Sequence, residues 1–289
     1  RYFIQALDQL EGTGVELHKT RVPDAVSIPD WLSGKARVVA VDGLCQSVSA
    51  VQELEVALGE GCLVVDVPDM LQELWDDRPQ IPVTPVTTLD VECFGGIPRM
   101  EKISWLRKWM LIEGYDKVLL SSLDEVAWML NVRGSDIEYN PLVISYLLVS
   151  QDYVKWFVKK TVTDSELDPD TLDSFAELRM DGVDVEDYDA VFFALSDFGS
   201  DEGSGVIFID PSTLNSNVYK YISGCFPADS IVCGTSPVIL EKSVKTPSEI
   251  ENLRQTYMDD GVAMERFLHW LETEVASGRR VDEWEASER

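Results

Sequence analysis

The residue types that most often do chemistry are thinly spread in this chain. There are two histidines, His18 and His269, and neither has a second histidine three or four residues away. The H-E-x-x-H pairing that grips zinc from one helix face is therefore absent. His269 stands beside Trp270 in a helical pattern, where a lone imidazole is structural or faces solvent. No G-x-S-x-G elbow raises a nucleophilic serine on a strand-to-helix turn. No G-x-G-x-x-G or Walker loop cradles a phosphate, and Gly95-Gly96 runs into Ile-Pro-Arg without that spacing. The five cysteines (Cys45, Cys62, Cys93, Cys225, Cys233) never fall in C-x-x-C spacing. They read as idle thiols of a reducing cytoplasm, not as a disulfide framework or a zinc site. Carboxylates are plentiful, and Asp116, Asp124, Glu125, Asp136 and Asp210 could be drawn together as a two-metal cluster of the nuclease kind. Charge opposes that reading. With 52 acidic against 24 basic residues, a net of -28, the surface repels nucleic acid and anionic lipid alike. Such a surface keeps a protein soluble; a basic protein or peptide is the partner it would attract.

The most distinctive stretch is Leu123–Val149, LDEVAWMLNVRGSDIEYNPLVISYLLV. A helical turn runs into Asn131-Val132-Arg133-Gly134-Ser135-Asp136, then Tyr139-Asn140-Pro141 and an apolar strand. Gly134 suits a tight turn, and Asp136 can accept from Arg133 or from loop amides. Two readings stay open. Either an Arg133–Asp136 pair staples the loop, or the loop, with Arg133, Asp136, Tyr139 and Asn140, faces a neighbouring active site or a dimer interface.

The elements that must position this loop follow an α/β pattern. A chain of 289 residues that is 45% hydrophobic and 26% charged is globular and long enough for about two domains. The longest apolar run, LVISYLLV at 142–149, is too short to span a bilayer. Val-, Ile- and Phe-rich segments predict strands at Val38–Val41, Cys62–Val67, Lys117–Leu120, Leu142–Ser150, Tyr153–Lys159, Ala190–Leu195, Gly205–Asp210 and Ser230–Cys233. Helical spacing falls at 47–59 and 99–113. The short Gln-Asp link between 142–150 and 153–159 predicts a hairpin, so the sheet is mixed. The acidic stretch Thr163–Asp189 reads as a loop with one or two short helices. Asp76–Asp90, DDRPQIPVTPVTTLD, has three prolines and reads as an extended connector. Near its end, Thr246-Pro247-Ser248-Glu249 forms a capping box that starts a helix of about seven turns. Its face (Ile250, Leu253, Tyr257, Gly261, Met264, Leu268, Leu271, Val275) implies that the helix docks on the upstream domains, pairs with another chain, or is partly disordered. The chain opens with Arg1-Tyr2-Phe3-Ile4, without Met or a signal-peptide pattern, and reads as a piece of a longer protein.

The 123–149 segment closely resembles the middle domain of the three-domain Xaa-Pro aminopeptidases, the cytosolic aminopeptidase P type. Other stretches agree in the same order. Arg1–Ala6 resembles the end of the family's GRYFLQA, and Val39–Ser49 its strand-to-helix turn GVD…YS. Leu74–Pro79, LWDDRP, resembles the W-x-D-R-P that closes the first domain. Lys245–Glu265 is similar to the K-x-P-x-E-I…D-G-V-A opening of the catalytic domain, and Phe267–Glu272 and Val281–Glu288 continue that match. The resemblance implies two creatinase N-terminal-type domains of ribonuclease-H-like fold, with mixed sheets flanked by helices. It divides the chain into a first domain at 1–80, short at its front, a linker at 81–90, a second domain at 91–244, and at 245–289 the start of a pita-bread domain. It also implies a cytoplasmic hydrolase that removes an N-terminal residue preceding proline, using two divalent metals, usually manganese, held by two Asp, one His and two Glu. Those ligands belong downstream of the helix at 246–275, so no catalytic or metal residue carries over, and this portion is expected to be inactive alone. The family's N-terminal domains serve homodimerisation and active-site access. The alternative is a stand-alone acidic binding module of the same fold for a basic protein or peptide.

Overall fold

The computed structural model describes residues 2–94, 96–159, 167–200 and 205–289. The first part contains α1 (Phe3–Leu10), α2 (Ile28–Leu32), β1 (Val38–Val41), α3 (Val48–Leu58) and β2 (Leu63–Asp66), with β1 and β2 parallel. Next come β3 (Thr87–Thr88), α4 (Val91–Phe94), α5 (Arg99–Glu113), β4 (Lys117–Leu120), α6 (Leu123–Leu130), β5 (Val132–Arg133), β6 (Ser145–Ser150) and β7 (Val154–Val158). They are followed by α7 (Pro169–Met180), β8 (Val183–Asp187), α8 (Ala190–Ser200), β9 (Ile207–Ile209), α9 (Ser216–Cys225), β10 (Ile231–Cys233) and α10 (Pro237–Ser243). Two further helices end the chain, α11 (Pro247–Ala276) and α12 (Glu283–Glu288).

Six strands form the central sheet in the order β10-β9-β4-β6-β7-β8. β10, β9 and β4 run parallel, β6 is antiparallel to both its neighbours, and β7 and β8 run parallel. The sheet is mixed and the 145–158 hairpin forms as expected. Side chains alternate across it, as the two-residue strand period requires. Val118, Leu120, Leu147, Val149, Trp156 and Val158 pack on one face with Ile103, Met110, Met129 and Phe175 from α5, α6 and α7. Leu119, Leu148, Phe157, Ile207 and Ile209 pack on the other face against α8 and α9. Because both faces are covered, the strands read as nearly continuous apolar runs.

Two expectations are corrected. Ala190–Leu195 is not a strand but the start of α8, with Val191, Ala194 and Leu195 buried at helical spacing. The Val-Phe-Phe run suggests β structure, but the three-to-four-residue period of the buried positions decides. The described part of Thr163–Asp189 is not a loop with short helices either; residues 163–166 lie outside the described residues. Asp168 caps the twelve-residue α7 by accepting from Thr171 N, with Pro169 at the first helical position. β8 then buries Val183 and Val185 while Asp184 faces solvent, so its acidity belongs to one side of an edge strand.

The connector forms neither helix nor strand through its proline-rich part, and then pairs with β5 in a small two-stranded sheet of its own. Thr87 and Thr88 pair antiparallel with Arg133 and Val132, and Val86 is fully buried. The capping box at Thr246 and Glu249 is formed. α11 buries no residue, and its contact with the rest includes Asn252 Nδ2 donating to the Phe94 carbonyl.

The strand–helix–strand β1-α3-β2 is repeated as β9-α9-β10. Asp42, Ser47 and Leu63 find their counterparts in Asp210, Asn215 and Ile231. Asp42 accepts from Leu44 N and Asp210 from Ser212 N; Ser47 caps α3 and Asn215 caps α9. The two turns meet head to head. Val48 N donates to the Leu214 carbonyl at 3.0 Å and Ser216 N to Gln46 at 2.8 Å. Ser49 N donates to Pro211 at 2.9 Å and Asn217 N to Gly43 at 3.0 Å. Gly43 has no room for a side chain, because a Cβ there would lie 2.8 Å from the Asp66 carboxylate.

Candidate functional site

The loop singled out in the sequence leaves α6 through Asn131, which adopts the left-handed conformation and ends the helix. β5 follows, and its pairing with β3 fixes where Arg133 stands. Gly134 is required by close packing, not by a positive φ. An added Cβ would meet Val143 Cγ2 at 2.7 Å and two backbone carbonyls at 3.4 Å.

Arg133 and Asp136 do not form the staple considered above. Arg133 Nη1 donates to the carbonyls of Val132 (2.8 Å) and Ala127 (3.3 Å), at the end of α6. Burial pushes its pKa below the ordinary arginine value. Asp136 is 4% exposed and staples a different pair of segments. One carboxylate oxygen accepts from Thr84 N (2.9 Å) and Thr84 Oγ1 (2.7 Å), the other from Ile144 N (2.9 Å). Tyr139 has φ 59° and is 88% exposed, at the tip of a turn closed by Asn140 N donating to the Ile137 carbonyl.

Arg133 lines a cavity of about 610 Å³ between α6, α10 and the first turns of α11. Trp128, Pro141, Leu142 and Leu253 supply apolar wall, while Lys242, Lys245, Asp124 and Glu249 supply charge. Asp136, Tyr139 and Asn140 do not line it. Lysines 242 and 245 were not singled out by sequence reasoning as site residues, although Lys245 opens the K-x-P-x-E-I stretch that signals the helix start. The five carboxylates that could be imagined as a metal cluster do not converge on one site: Asp124 pairs with Lys242. Asp116 binds Val206 N, Asp136 binds Thr84, and Glu125 and Asp210 bind the hydroxyl and amide of Ser236. Among the described residues no group of three or more His, Cys, Asp or Glu could hold a metal ion. The described residues therefore do not fit a two-metal centre. His18 lies edge-on to Trp31, and His269 is exposed on α11.

A fourth cation, Lys102, is bound to the Trp128 carbonyl next to the cavity wall. It is buried, donates also to Asn131 Oδ1, and sits 4.3 Å from the Trp128 ring centre. Burial lowers its pKa to about 7; Glu249 opposes the shift, while Arg133 and Arg99 add to it. An unfolded lysine keeps its proton to about pH 10, so between about 7 and that value the unfolded chain binds more protons. Raising the pH through this window therefore favours the folded state. The melting temperature of the parent chain minus that of Lys102→Met is expected to rise between pH 7 and 9; a flat difference refutes it.

Residues 77–249 match the family model for the creatinase/prolidase N-terminal domain. Over 298 residues the chain is 29% identical to Xaa-Pro aminopeptidase app-1 of Caenorhabditis elegans, covering 100% of this chain and 46% of that protein. A probable Xaa-Pro aminopeptidase P of Laccaria bicolor is 30% identical, covering 100% of this chain and 44% of that protein. The crystal structure of a C. elegans X-prolyl aminopeptidase, described as a cytosolic enzyme with a di-nuclear active site, superposes with a TM-score of 0.82 at 31% identity. That match covers 99% of this chain and 46% of the nematode chain. The chain thus spans less than half the length of these relatives. With residues 77–249 matched by the family model and its whole length by such enzymes, the chain belongs to the aminopeptidase P type of the Xaa-Pro aminopeptidase family, creatinase/prolidase-like, and covers its N-terminal portion.

Proposed function

We propose that this chain is the non-catalytic N-terminal portion of a metal-dependent Xaa-Pro aminopeptidase. The full enzyme would remove an N-terminal residue preceding proline, act in the cytoplasm, and use two divalent metals, manganese by the family pattern. This portion would serve homodimerisation and access to the active site. The observation that carries the reading is a combination. The chain matches less than half of its aminopeptidase relatives, and its described residues offer no metal cluster. The division into 1–80, 81–90, 91–244 and 245–289 is part of the proposal. The exposed face of α11, with Tyr257, Met264, Leu268 and Val275, supports residues 245–289 as the entry to a further, pita-bread domain. Arg133, Asp136, Tyr139 and Asn140 belong to the loop we assign to active-site access or the dimer interface, with Arg133 the residue turned toward the α11 side.

Incubation of this chain with manganese and a peptide bearing proline at its second position is expected to release no N-terminal amino acid above the buffer rate. Turnover by the purified chain, removed by a chelator, would overturn the reading.

A further inference from the structure

In a chain of net charge -28, the cavity between α6 and α11 holds two cations, Arg133 and Lys245, that pair with no carboxylate among the described residues. Three basic side chains line it, Arg133, Lys242 and Lys245, beside two acidic ones, Asp124 and Glu249. Both carboxylates already have partners. Asp124 pairs with Lys242, and Glu249 Oε2 accepts from Thr246 N in the capping box. Among the described residues Arg133 donates from Nη1 alone, to two carbonyls, and forms no ion pair. Among the described residues Lys245 Nζ donates only to the Ser243 carbonyl, at 3.1 Å. A half-buried guanidinium that lines this cavity and is held only by neutral carbonyls among the described residues bears a desolvation cost that a bound anion would offset. The lowered pKa of Arg133 has the same cause: burial without a compensating negative charge.

We propose that this cavity is a binding site for a small monocarboxylate with an apolar body, the C-terminal residue of a short peptide being the simplest example. The guanidinium fork of Arg133 would take the carboxylate, with Lys245 as a second cation. Trp128, Pro141, Leu142 and Leu253 would cover the apolar body. The surrounding field argues for a single charge: a chain this acidic opposes each additional negative charge brought to its surface. The site lies wholly within this chain and does not depend on the catalytic proposal above, so either can fail without the other.

Titration calorimetry at low salt tests it with three probes: N-acetyl-leucine, the neutral N-acetyl-leucinamide and inorganic phosphate. N-acetyl-leucine is expected to bind saturably, and the amide about tenfold or more weakly, because the charged hydrogen bonds are lost. Arg133→Met should weaken N-acetyl-leucine by a similar factor. Arg133→Lys should recover part of it, since it keeps the charge without the fork. Lys245→Met, an exposed substitution that leaves the fold alone, should also weaken binding and decides the matter if Arg133→Met unfolds. Equal affinity for acid and amide, unchanged affinity in the Lys245→Met and Arg133 variants, or no saturable binding overturns the proposal. Tighter binding of phosphate than of N-acetyl-leucine overturns the apolar monocarboxylate assignment.

Discussion

Asp136→Ala is expected to cost about 3 kcal/mol of unfolding free energy, among the largest effects of any substitution outside the apolar core. The Asp136 carboxylate satisfies the amide and hydroxyl of Thr84 on one oxygen and the amide of Ile144 on the other. Thr84 Oγ1 in turn accepts from Ser135 N at 2.7 Å, so the connector, the Arg133 loop and the approach to β6 share one knot. Alanine leaves backbone donors unpaired in a place water reaches poorly, where each costs about 1–3 kcal/mol. Asp136→Asn keeps an acceptor toward Thr84 but turns its amide toward the Ile144 donor, or the reverse, and should cost roughly half as much. Chemical denaturation followed by tryptophan fluorescence measures both. If Asp136→Ala unfolds within about 0.5 kcal/mol of the parent, the knot does not hold the loop.

Arg99→Ala should destabilise by a similar amount, about 3 kcal/mol, for a different reason. The Arg99 side chain is 5% exposed and joins three helices: Nε to the Leu130 carbonyl of α6, Nη1 to Asp181 and Nη2 to Glu177 of α7. Glu177 and Asp181 lie at the C-terminal end of α7, where the helix dipole disfavours negative charge. Without the guanidinium, two carboxylates repel each other there and a helix-end carbonyl loses its donor. The effect stays below that of a fully buried pair because both carboxylates remain partly in water. Arg99→Lys keeps the charge but cannot reach three acceptors, and is expected to recover less than half of the loss. Denaturation of the single variants and of Arg99→Ala combined with Glu177→Gln and Asp181→Asn checks the assignment. Neutralising the carboxylates should relieve part of the cost; if it does not, repulsion is not its source.

The parts of this fold legible in the sequence are those where one local pattern dominates. α5 at Arg99–Glu113 and β4 at Lys117–Leu120 fall where the periodicity puts them, and the Thr246 capping box starts its helix as expected. α8 is misread because Val-Phe-Phe carries strand propensity, while burial of positions 191, 194 and 195 follows a helix. β8 is hidden because an edge strand can expose Asp184 and pair Glu186 with Lys155 on one side and still bury two valines on the other. The candidate site is half legible. Arg133 stands out as a lone cation, but its neighbours Lys242 and Lys245 arrive from α10 and the turn after it, more than a hundred residues away. The local Arg133–Asp136 pairing fails for the same reason, since the acceptor and donor each find better-placed partners, Thr84 across the chain and the Ala127 and Val132 carbonyls nearby.

The head-to-head turns at Ser47 and Asn215 have the geometry of an isologous interface, in which each partner offers the same patch and receives what it gives. Here both partners belong to one polypeptide. Each bond has a mirror bond across a local two-fold axis, so losing one donor, for instance by proline at position 49, removes one rung and leaves its mirror from Asn217 to Gly43 in place. The stretch from β2 to β9 acts as a tether between the two halves. Their association is therefore intramolecular, governed by effective concentration and indifferent to dilution, like a homodimer whose subunits have been fused.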